Sequence, residues 1–196
     1  MLKAKQIASE KLTPYATKSD FCKVFDQDMN SLYLLSFLLT ADPHKAEQCF
    51  VAGLEDSAEG NRVFKEWARS WARRSIIQNA VRMINPRPIE GNRGFNSASI
   101  NRNTATAPTE RVEIAAVLAF QSFDRFVFVM SVLERYSDQD CSVLLGCTRR
   151  EVMAARTRAL QHIGALAEFQ TEQQVSIDSE ESIVRDRHSS VLEAAA

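Results

Sequence analysis

Apolar residues recur along this chain at steps of three and four, the period of an amphipathic helix, and no stretch alternates convincingly as a strand would. Residues 1–28 are mixed and weakly periodic, and read as an arm or a short helix. The pattern tightens at Met29. Leu32, Tyr33, Leu34, Leu35, Phe37, Leu38 and Leu39 give a broad apolar surface, so this helix is expected to be largely buried. Thr40-Ala41-Asp42-Pro43 stops it and starts the next, with Asp42 as cap and Pro43 at the first helical position. The second helix turns Ala46, Cys49, Phe50 and Leu54 inward and breaks at Gly60-Asn61. Arg62 to Ile84 then reads as one long helix. Its buried side carries Phe64, Trp67, Ala68, Trp71, Ser75 and Asn79, extended by Ile76, Ile77, Ala80 and Met83.

Asn85-Pro86-Arg87-Pro88 ends that helix, and the Asn-, Pro-, Gly-, Ser- and Thr-rich residues 85–111 read as a flexible linker. Helical order returns over Val112 to Phe120. Ser122 is placed to cap a further helix holding Phe126, Val129, Met130 and Leu133. Tyr136 to Leu160 is the most specific stretch. Ser137 with Asp140, and Thr148 with Glu151, are two capping boxes on either side of Gly146, which ends the first helix where a left-handed residue is needed. Two boxed helix starts around one glycine turn predict a helix-turn-helix, with Cys141, Leu144 and Leu145 on one face and the second helix running through Ile163 and Leu166. The expected fold is all-α. Two small helical domains, 29–84 and 112–167, are joined by the 85–111 linker. An acidic tail over 168–196, probed by seven acids against two arginines, is expected to be frayed or disordered.

Charge changes the picture locally. The chain's formal net charge is −1, so bulk charge does not draw it to polyanions. Between Arg62 and Ile84, however, six cations (Arg62, Lys65, Arg69, Arg73, Arg74 and Arg82) face Glu66 alone, a footprint suited to a phosphate backbone and equally to a solvated helix face. Cys22, Cys49, Cys141 and Cys147 form no CxxC pair and read as reduced, mostly buried thiols of a cytoplasmic protein. No signal peptide or membrane-spanning run is seen, and no membrane partner is expected. With no Gly-rich phosphate loop, no His/Cys metal spacing and no triad-like grouping, no enzyme, cofactor or metal site is expected.

Three segments in order carry a family resemblance. SLYLLSFLLTAD (Ser31 to Asp42), FKEWARSWARRSIIQNAVR (Phe64 to Arg82) and YSDQDCSVLLGCT (Tyr136 to Thr148) are similar to the motifs L-Y-x-L-A-x-x-L-T-G-D, F-x-x-W-L-x-x-I-A-R-N-x-x-x-D-x-x-R and Y-S-x-x-E-I-A-x-x-L-G-C-S. These belong to bacterial RNA polymerase sigma factors of the extracytoplasmic-function group. The resemblance covers roughly 29–84 and 112–166. It implies a transcription initiation factor that binds core RNA polymerase, reads promoter DNA, and in some members answers to an anti-sigma factor.

By position, the resemblance implies a recognition helix contacting DNA through Thr148, Arg149, Arg150, Met153, Arg156, Thr157 and Arg158. It implies a second DNA-facing set of Lys65, Arg69, Arg73, Arg74 and Arg82, and a polymerase-binding set of Glu47, Phe50, Val51 and Leu54. Trp67 and Trp71 have the option of stacking on an unpaired base, with core packing the favoured reading. The chain departs from the family where a glutamine-glutamate pair has become Val51-Ala52, and where a lysine and an arginine have become Met153 and Ala155. Those departures keep two alternatives open: a helix-turn-helix DNA-binding regulator, or a degenerate sigma-like interaction protein, neither docking on polymerase as the family does.

Overall fold

The computed structural model describes residues 14–60, 62–88 and 109–167. These residues are helical with no strand or sheet, and the fold is all-α. Helix α1 runs Lys18–Gln27, α2 Met29–Thr40, α3 Pro43–Glu59, α4 Ala68–Ile84, α5 Thr109–Leu118, α6 Ser122–Phe128 and α7 Asp138–Leu145. A further helix, α8, covers 149–167. The chain divides into two compact units, Met1–Arg156 and Thr157–Ala196, and the division falls inside α8.

Local chemistry explains most helix ends. Thr17 caps α1 in a full box: its hydroxyl accepts from the Asp20 N–H, and the Asp20 carboxylate accepts from the Thr17 N–H at 2.9 Å. Helix α2 ends on Ala41 in the left-handed region (φ 55°), and Asp42 caps α3 by accepting the Lys45 N–H at 2.9 Å. The core of this part is Phe21, Phe25, Leu32, Leu35, Leu39, Ala46, Cys49, Ile76, Ile77 and Ala80. Leu54 and Phe50, expected inward, are only half-buried; Gly53 and Ser57 take the buried face instead. Gly53 is there because α4 leaves no room. A Cβ on it would lie 2.7 Å from Ile76 Cγ1.

Two expected helix starts shift. The helix predicted from Arg62 begins at Ala68, preceded by a 3-10 turn over Lys65–Trp67. Residues 62–64 are held extended instead, with the Ala16 N–H donating to the Val63 carbonyl at 2.7 Å and the Lys65 N–H to the Pro14 carbonyl at 3.0 Å. This pairing turns Val63 inward (6% exposed) and leaves Phe64 and Trp67 out, at 38% and 57%. Helix α6 starts one residue earlier than it would with Ser122 as its cap. Gln121 is the cap residue, without a side-chain bond, and Ser122 is the first helical residue. Its continuation relaxes into a π turn, Val129–Leu133, in which Leu133 is exposed while Val129 and Met130 are fully buried.

The helices expected on either side of a tether share the first compact unit. Arg125, 7% exposed on α6, donates to the Leu39 carbonyl in the last turn of α2 at 3.3 and 3.4 Å, and to the Phe120 carbonyl at 3.0 Å. Burial lowers its pKa. A cation at the carbonyl end of α2 also suits that helix's dipole. Arg73 on α4 forks onto Glu134, after the π turn, and also donates to Ser31 at 2.9 Å. These bonds join residues that precede the linker to residues that follow it. The linker's residues 89–108, the 168–196 tail and residues 1–13 of the arm lie outside the described residues.

Candidate nucleic-acid interface

The helix-turn-helix expected over 136–160 forms. Ser137 caps α7 by accepting the Asp140 N–H at 3.1 Å. Gly146 ends it at φ 63°, and the Cys147 N–H reaches back to the Ser142 carbonyl at 3.0 Å, the six-to-one bond of a Schellman ending. The second box closes fully. The Glu151 carboxylate accepts from the Thr148 N–H and hydroxyl, both at 2.7 Å, while the Thr148 hydroxyl accepts the Glu151 N–H at 3.2 Å. Those bonds hold the Glu151 carboxyl below its ordinary range, the Thr148 N–H contributing most. Cys141, Leu145, Val152 and Ala155 are buried, so α7 and the start of α8 each bury one face. Burial pushes the Cys141 thiol up to about 11, as it does that of Cys49.

On the outward side, Thr148, Arg149, Arg150 and Met153 are exposed. Arg149 and Arg150 have no carboxylate partner among the described residues, and they sit in the first turn of α8. Arg156 is different. It forks back onto Asp138 in the first turn of α7, at 2.5 and 3.3 Å, bracing the two helices against each other. In the second compact unit, Thr157 is exposed and Arg158 half-buried.

The other basic set is not a free stripe. Lys65 pairs with Asp20 at 3.5 Å and Arg69 with Asp28 at 3.4 Å. Arg82 pairs with Asp56 at 2.6 Å, where Asn79 also donates at 3.0 Å, and Arg73 pairs with Glu134. Four of the five residues assigned there spend their charge on carboxylates from other elements. Arg74 alone of that set has no such partner among the described residues. The spacing showed the cations but not these partners, because every partner lies outside α4.

Arg74 instead borders a groove of about 380 Å³ with Arg62, Val63, Trp67, Ser70, Trp71 and Tyr136. Arg62 and Tyr136 were absent from the sequence-based sites. Tyr136 has no local signal for this role, since it arrives from the far side of the linker. The Trp71 indole N–H is buried without a hydrogen-bond partner, the only such side-chain atom among the described residues.

The positions expected to meet polymerase lie along α3. Glu47 and Val51 are exposed, Val51 at 47%. Phe50 meets Phe25 and Tyr33 edge-on, with ring centres 5.2 and 6.5 Å apart, and Leu54 is half-buried. Among the described residues no helix is long and apolar enough to cross a membrane. Comparison with protein-family models, curated proteins and solved structures finds no match for this chain.

Proposed function

We propose that this chain is a sigma-like transcription initiation factor, cytoplasmic, that binds bacterial core RNA polymerase and carries it to promoter DNA. The observation that supports it best is the doubly capped helix-turn-helix, with Arg149 and Arg150 exposed and without a carboxylate partner among the described residues in the first turn of its second helix. That geometry suits entry of α8's N-terminal turn into a major groove, where arginines pair with guanine edges or phosphates. Exposed Glu47 and Val51, beside the half-buried Phe50 ring, supply a mixed acidic and apolar surface for polymerase.

A second reading has its own support. Internal pairing of Lys65, Arg69, Arg73 and Arg82 concentrates DNA contact in the first turns of α8, which favours a helix-turn-helix regulator acting without polymerase. The two separate in one experiment: mix the full chain with core polymerase, look for co-elution, then for promoter-dependent run-off transcription. Co-elution with transcription is expected. Duplex binding without co-elution selects the regulator. In either case Arg149→Gln and Arg150→Gln should weaken duplex binding, and each lost phosphate contact should reduce the slope of log affinity against log salt by about one. Unchanged affinity removes these residues from the interface.

A further inference from the structure

The groove bordered by Arg74 gathers two arginines that make no carboxylate pair among the described residues, together with three aromatic side chains. Within 62–82 there are six cations, and four of them are neutralised by carboxylates. The two without a carboxylate partner among the described residues, Arg62 and Arg74, border this same groove. Arg62 is exposed, its guanidinium 5.9 Å from the centre of the Tyr15 ring. Both tryptophans of the chain also line it, and Trp67 is more than half exposed although its indole is among the most apolar surfaces a protein can bury. Tyr136 adds a third ring and Ser70 a hydroxyl. Trp71, in the wall, carries the buried indole N–H with no partner.

Each part selects for the same ligand chemistry. Indole and phenol rings offer flat faces on which a nucleobase stacks. Guanidinium groups favour phosphate oxygens, to which they donate paired charge-assisted bonds. The volume of about 380 Å³ lies at the small end of ligand sites, which run from about 300 to 1,000 Å³. It suits one nucleotide and is too small for a helix. We propose that this groove binds a free mononucleotide, base against Trp67 and Trp71, phosphate on Arg62 and Arg74. Because Tyr136 follows the linker and the other lining residues precede it, the ligand touches both halves of the first compact unit. It binds only while they are together, and so stabilises that arrangement. The site does not depend on polymerase or promoter binding.

Intrinsic fluorescence reports on it directly, since both tryptophans are in the groove. The full chain is titrated with GMP and AMP, and separately with guanosine, inorganic phosphate and a short single-stranded oligonucleotide. Saturable quenching by the mononucleotides is expected, with guanosine and phosphate each at least tenfold weaker, and a rise in thermal midpoint at saturation. Arg74→Gln, at a half-buried side chain with no ion pair to lose among the described residues, should weaken binding about tenfold, as should Trp67→Ala read by the thermal shift; Arg149→Gln should leave it unchanged. No saturable quenching up to millimolar GMP and AMP overturns the proposal, as does equal affinity in Arg74→Gln. Quenching by the oligonucleotide alone also overturns it, and assigns the groove to a strand.

Discussion

Glu151 shows how much one side chain settles at the start of α8. Its carboxylate takes two donors from Thr148 and is held ionised below the ordinary value of 4.5. Asp42 and Asp20, bonded to N–H groups at the starts of α3 and α1, are likewise held below 3.8. A carboxyl whose folded pKa is depressed contributes stability that is complete above its unfolded pKa and is lost as pH falls through the folded one. The thermal midpoint should therefore decline as pH drops below about 4.5, and Glu151→Gln should give a shallower acid limb in a circular-dichroism series. An unaltered limb would place the acid sensitivity elsewhere. These caps were legible in the sequence because donor and acceptor lie three residues apart. The pairs Arg82–Asp56 and Arg73–Glu134 were not, since 26 and 61 residues separate them and α4's own pattern contains only one partner's charge.

At the scale of elements, helix existence followed from periodicity except for α1, which falls in the weakly periodic arm, while two starts and one buried face did not. Val63 and Phe64 carry no signal against helix. Their extended form depends on backbone bonds to Pro14 and Ala16, far back in the chain. The close crossing of α3 and α4 was equally silent, because Gly53 resembles any glycine until Ile76 is placed 2.7 Å from its missing Cβ. Gly53→Ala should then lose about 1–3 kcal/mol through overpacking, read from denaturant midpoints at constant m-value. A neutral or stabilising result would mean that α4 shifts freely away from α3.

For the whole molecule, composition and period identify an all-α chain, and proline and glycine mark where helices cease. Neither shows how the helices before 85 and after 111 meet, because that depends on Arg73 meeting Glu134 and Arg125 meeting Leu39. The first pair is testable by a double-mutant cycle with Arg73→Met and Glu134→Gln. A coupling of about 1 kcal/mol is expected from a partly buried fork; strict additivity would leave the two halves held by other contacts. The Arg125 bond has a further consequence during synthesis. The last turn of α2 ends at a carbonyl whose donor is 86 residues downstream. At about 5–20 residues per second, a ribosome takes roughly 4–17 s to supply it. A nascent chain that has already made α1 to α4 must therefore wait with the α6-binding end of α2 uncovered, and that interval is when a chaperone would find most to hold.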